Sequence, residues 1–115
     1  MPIDSKTLNT LKIKSGVVKR YANDIKMYKY EIEKQSQKIK TMKSNNDDEY
    51  DIRKQEEVLQ ESVSMISRSK YNFINAYDDL NNIMSNVDKD TQSEEYINAE
   101  KILTDFLIIK NEIKC

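Results

Sequence analysis

Between Ile3 and Cys115 the chain contains one glycine and no proline, and its apolar residues return at threes and fours. In the first half the series is Leu11, Val18, Tyr21, Ile25, Tyr28, Ile32, Ile39 and Met42. In the second it is Ile52, Leu59, Ile66, Phe73, Leu80 and Val87, at intervals of seven. A spacing near 3.5 keeps one stripe of a helix turned toward a partner, so each series predicts a long helix packed along its neighbours. Long polar helices enclose few pockets. A chain of this kind is built to present surfaces.

Polar punctuation divides the pattern. Lys43-Ser44-Asn45-Asn46-Asp47-Asp48 replaces helix formers with turn and cap residues. Asn86-Val87-Asp88-Lys89-Asp90 does the same, and Thr91-Gln92-Ser93-Glu94 has the T-x-x-E form of a capping box. The predicted helices cover residues 5–43, 48–86 and 91–113. In the third, Ala99, Ile102, Phe106, Ile109 and Ile113 form the stripe, widened by Tyr96, Leu103 and Leu107. Short connections make neighbours antiparallel. The expected fold is all-α: an up-down-up three-helix bundle, one domain over residues 1–115, with two long helices and a shorter third.

The unequal lengths have a consequence. A third helix of about 23 residues reaches back only to about residue 64 of the second helix and residue 26 of the first. Residues 27–43 and 47–63 are then expected to form a two-helix arm. Its open seam would carry Met27, Tyr28, Ile32, Ile39, Met42, Ile52, Val58 and Leu59.

Charge is divided as well. Residues 1–43 carry 11 Lys/Arg against 4 Asp/Glu, and residues 44–115 carry 8 against 16, for a total of −1. This asymmetry has two readings. A basic first helix can pack beside acidic neighbours, or it can offer a basic face to an acidic partner. No aromatic-basic platform accompanies the charge, which argues against nucleic acid.

The residue inventory offers little to catalysis. There is no histidine, and the one cysteine is Cys115. The usual nucleophile–base pairs and a Cys/His zinc site therefore lack their residues. The C-a-a-X lipidation motif needs three residues after its cysteine, and Cys115 has none. Adjacent carboxylates at Asp47-Asp48-Glu49, Glu56-Glu57, Asp78-Asp79 and Glu94-Glu95 point to different sides of a helix, which suits solvated faces better than a metal site. Gly16 stands alone, so no phosphate loop is encoded. No metal or other cofactor is expected. No stretch reaches the roughly 18 apolar residues of a membrane span, and the first residues hold no apolar leader core. The simplest expectation is a cytoplasmic protein with no membrane partner.

Gly16 is the least expected residue, since glycine inside a helix costs about 1 kcal/mol relative to alanine. Close packing by a neighbouring helix would explain it, and so would close approach by a bound partner. Tyr21 and Tyr28 sit on the core stripe, whereas Tyr50 follows the turn and is expected to be exposed.

Two phrases carry a family resemblance. Leu11-Lys12-Ile13-Lys14-Ser15-Gly16-Val17-Val18-Lys19-Arg20 resembles the start of the tubulin-binding cofactor A family. A stronger match is Tyr50-Asp51-Ile52-Arg53-Lys54-Gln55-Glu56-Glu57-Val58-Leu59-Gln60-Glu61-Ser62. Echoes follow at Met27-Tyr28, Ala76-Tyr77-Asp78-Asp79-Leu80 and Glu94-Glu95-Tyr96, in family order, so the likeness covers roughly residues 8–103. The resemblance implies a three-helix bundle that holds quasi-native β-tubulin after chaperonin release. It further implies hand-over to other tubulin-folding cofactors, no nucleotide, and a place with the cytoskeleton.

Two departures qualify it. The family often has a proline after a Met-Ile pair in the second helix, where this chain has Met65-Ile66-Ser67. The second helix is then expected to be straighter. The run from Phe106 to Ile113 is unusually apolar for the family, which points to a longer third helix or to self-association as a homodimer. The rival reading is a structural coiled-coil adaptor subunit of a larger helical assembly. Prefoldin-like chaperones need hairpins that residues 43–48 are too few to hold. Combining the open arm with the strongest family phrase singles out Tyr50, Arg53, Lys54, Glu57 and Glu61 as polar contacts to tubulin. Ile52, Val58 and Leu59 would supply apolar edges, and Lys12, Lys19 and Arg20 form a second, basic patch.

Overall fold

The structure, a computed structural model, describes residues 5–87 and 93–114, with the side chain of residue 114 outside the description. Among the described residues every regular element is an α-helix: α1 Ser5–Ser44, α2 Glu49–Ser85, α3 Glu94–Asp105 and α4 Leu107–Lys114. The first two helices match the expected spans to within a residue.

The boundary chemistry explains the match. At the end of α1, Asn46 takes a left-handed φ of 56°. The Asn46 N–H donates to Lys43 O at 3.2 Å and the Asp47 N–H to Met42 O at 3.0 Å. These are the paired bonds of a Schellman cap, in which asparagine tolerates the left-handed position. Asp48 then caps α2, its Oδ1 accepting from the Tyr50 N–H at 2.9 Å. Glu49 and Asp51 follow in the first turn, where negative charge suits the helix dipole. α2 runs unbroken through Ser67.

The third helix departs from expectation at its far end. It begins at Glu94, with Ser93 as N-cap accepting from the Tyr96 N–H at 3.2 Å. The expected start at Thr91 falls outside the described residues. Its far end is not continuous to residue 113. Phe106, at φ −98° and ψ 5°, interrupts the helix for one residue, its N–H still bonded to Ile102 O at 3.0 Å. The Phe106 ring meets Phe73 edge-on at 6.4 Å between centroids, and Lys110 in α4 pairs with Asp78 at 2.9 Å. Tertiary contacts at the interruption and beyond it thus hold a turn that local sequence does not ask for.

The residues fall into two compact units. The first runs to Ala22 and resumes from Lys70. Its core holds Leu11, Val18, Ala22, Phe73, Tyr77, Leu80, Met84, Tyr96, Ala99 and Ile102, so α1, α2 and α3 all contribute. The Lys14 ammonium, 2.8 Å from Asp79, ties basic α1 to acidic α2 at the surface. Ser15 is enclosed here, with no hydrogen-bond partner for its Oγ.

The second unit, Asn23–Ser69, contains only the later part of α1 and the earlier part of α2. Its enclosed apolar residues are Ile25, Ile39 and Ile66, while Ile32, Met42, Ile52 and Leu59 are half-buried. Gln35 reaches across to Gln55, its Nε2 donating to the backbone oxygen and to Oε1. This unit is a pair of helix segments with a thin seam.

Candidate functional site

On the second unit, Tyr50, Lys54, Glu57 and Glu61 recur at steps of four, three and four, so they share one face of α2. That face lies away from half-buried Ile52, Gln55, Leu59 and Ser62. The Lys54 ammonium sits 5.4 Å from the centroid of the Tyr50 ring and 3.7 Å from Glu57 Oε2. Tyr50 is 63% exposed, and Arg53 and Glu61 are exposed as well. The polar residues therefore form a single solvent-facing strip.

The apolar edges do not gather beside it. Val58 is 48% exposed, whereas Ile52 and Leu59 are half-buried in the seam. Val58 lies six positions after Ile52, which turns them to different flanks of a helix with 3.6 residues per turn. Val58 instead lines a groove with Ser62 and with Glu31, Lys34, Gln35, Lys38 and Thr41 of α1. Those α1 residues were missed in the sequence because they are polar. Their spacing of three, four and three at positions 31, 34, 38 and 41 was the available signal.

Lys12, Lys19 and Arg20 belong to the first unit and are exposed on α1. Lys12 borders a shallow concavity with Glu94, Glu95, Ile97, Asn98 and Lys101. The Arg20 guanidinium lies 5.0 Å over the Tyr21 ring. Gly16 sits among them, and an added Cβ would meet nothing within 4 Å. Close packing by a neighbouring helix, one of the two expected explanations, is therefore overturned: Gly16 faces open space.

Two further faces are exposed and apolar. Met27 and Tyr30 stand out from α1 at 47% and 65%, and Leu107 and Ile108 from α4 at 44% and 68%. Tyr77 beneath α4 donates its hydroxyl to Leu103 O, with the Lys110 ammonium 4.8 Å over its ring. Burial raises its pKa above 10.0; Lys110 works against that rise and Asp78 adds to it.

Among the described residues no group of three or more His, Cys, Asp or Glu side chains is placed to hold a metal ion, and no helix is long and apolar enough to cross a membrane. What the molecule offers is helix faces, charged on α1 and mixed on α2. Its described residues place it in the class of small all-helical proteins. The chain matches tubulin binding cofactor A over residues 6–103, and it belongs to that family. It is 42% identical to tubulin-specific chaperone A of Gallus gallus over 96 residues, spanning 84% of this chain and 89% of that protein. Tubulin folding cofactor A from Arabidopsis thaliana has a similar structure, with a TM-score of 0.81 at 29% identity, covering 91% of this chain and 99% of that one. Human tubulin chaperone cofactor A gives a TM-score of 0.76 at 37% identity, over 88% and 98%. The resemblance expected from the two sequence phrases thus holds at the level of the family. The family match ends before Phe106 and α4.

Proposed function

We propose that this protein is a tubulin-folding cofactor that binds and holds quasi-native β-tubulin after chaperonin release, for later assembly into the αβ-heterodimer. Binding uses helical surfaces and no nucleotide. Family membership over residues 6–103 carries the reading. The exposed strip of Tyr50, Arg53, Lys54, Glu57 and Glu61, within a unit that has only two helices, supports it as the contact surface. Val58 adds apolar area from the flanking groove, and Ile52 gives at most an edge. Lys12, Lys19 and Arg20 provide a second, basic surface that attracts an acidic partner at long range.

Several consequences belong to the same reading. The chain folds as one domain, with α1, α2 and the α3–α4 segment closing an up-down-up three-helix bundle around Phe73 and Leu80. It works in the cytoplasm beside the cytoskeleton, passes its client to other tubulin-folding cofactors, and self-associates through exposed Leu107 and Ile108.

The experiment is a pull-down of purified β-tubulin by the full chain, with α-tubulin as control. Retention of β-tubulin alone is the expected result. Equal retention of both removes the β-tubulin specificity. Retention of neither leaves the structural coiled-coil adaptor as the better reading.

A further inference from the structure

Gly16 has no role in the fold that the geometry reveals. Its φ is not positive, so no left-handed backbone requires glycine. A Cβ there would meet nothing within 4 Å, so no neighbouring element requires the space. Glycine nonetheless weakens the helix that contains it. A residue that costs stability and serves no internal contact leaves its backbone bare to whatever docks from outside.

Its surroundings state the chemistry of such a docking partner. From Ser5 to Ala22 α1 carries five Lys/Arg and no Asp/Glu. Lys14 is committed to Asp79, but no described carboxylate pairs with Lys12, Lys19 or Arg20. These three lie four before, three after and four after Gly16, the spacings that share a helix face. Ile13, at the remaining i−3 position, is 55% exposed and supplies an apolar contact. The result is a bare stretch of helix backbone edged by three cations and one aliphatic side chain. Glu94 and Glu95, across the concavity from Lys12, temper the field at that side only.

We propose that this outward face of α1, centred on Gly16, is a helix-docking surface whose occupant is an acidic amphipathic α-helix of the bound tubulin client. A helix is the element that gains most from a missing Cβ, because interaxial distance is set by the side chains at the crossing point. Carboxylates flanking that crossing pair with Lys12, Lys19 and Arg20, and an apolar residue of the docking helix covers Ile13. The inference rests on the tubulin-binding reading and adds to it a second contact, the structural element that fills it and the sign of its charge.

The test is Gly16→Ala in the full chain, with thermal midpoint and β-tubulin capture measured on the same samples. The substitution places a methyl group in open space and raises helix propensity, so the midpoint should rise. Capture should fall about tenfold, the scale of one obstructed contact at a crossing point. Lys19→Glu/Arg20→Glu should weaken capture further, and the gap between that variant and the parent should narrow as salt is raised. A purely structural glycine would move stability and capture in the same direction. Undiminished capture by Gly16→Ala, with the parent binding normally, overturns this inference and leaves the tubulin reading intact. A lower midpoint overturns it as well, because the face would then not be open. Failure of the parent itself to capture β-tubulin overturns both.

Discussion

Phe73 and Leu80 have no exposed surface, and they occupy successive positions of the seven-residue series in α2. Replacing either with alanine removes apolar volume that the surrounding helices cannot refill, at a cost of about 2–5 kcal/mol in denaturant unfolding. Lys40→Ala, on an exposed position of α1, should leave the midpoint unchanged within error. Tyr77 predicts a pH effect. Its hydroxyl has a raised pKa because burial disfavours the phenolate, with Lys110 opposing and Asp78 reinforcing. The folded state therefore prefers the proton more than the unfolded chain does. Stability from this group is fully present below the unfolded value of about 10 and is lost as pH rises through the folded value. Thermal midpoints should drop on the alkaline side of pH 10, and the drop should be shallower in Tyr77→Phe. An equally steep alkaline limb in that variant would assign the loss to other groups.

At the scale of elements, what was legible in the sequence was whatever local chemistry decides. Asn46 can enter a left-handed conformation and Asp48 can cap, so the α1–α2 turn was readable from residue types. The start of the third helix was readable in kind, because a hydroxyl residue before an acidic first turn offers a cap, and Ser93 accepts from the Tyr96 N–H. The interruption at Phe106 was not readable. Phenylalanine is an ordinary helix residue, and the break depends on a ring contact with Phe73 and an ion pair with Asp78 that come from another helix. Ser93 gives the prediction at this scale. Ser93→Ala leaves the Tyr96 N–H without its acceptor and should cost about 1 kcal/mol. Amide exchange should quicken in the first turn of α3 before it does in α1 or α2. Uniform exchange across the three helices would show that the cap is not the weak point.

For the molecule as a whole, the long amphipathic stripes and the division of charge were visible in the sequence, and so was an exposed strip around Tyr50. The placement of side chains around each helix was harder to read. Val58 and Ile52 were expected to act together and diverge to different flanks, and of the two readings of Gly16 the packed neighbour fails, leaving a bound partner. The proposed contacts to tubulin lie on two surfaces, one in each unit, and charge reversal separates them. The Lys54–Glu57 pair is solvent-exposed, with side-chain exposures of 53% and 64%, and such pairs contribute at most about 1 kcal/mol. The Lys54–Tyr50 contact is of similar size at an exposed site. Arg53→Glu/Lys54→Glu should therefore leave the thermal midpoint nearly unchanged. If the α2 strip orients the client, the same variant should lose most β-tubulin capture at every salt concentration, because the contact is direct and short-ranged. Reversal of Lys12, Lys19 and Arg20 should act differently, slowing association most at low ionic strength and narrowing its gap to the parent as salt is raised. Normal capture by the Arg53/Lys54 variant, together with complete loss on reversing the α1 patch, would move the principal contact from α2 to the basic face of α1.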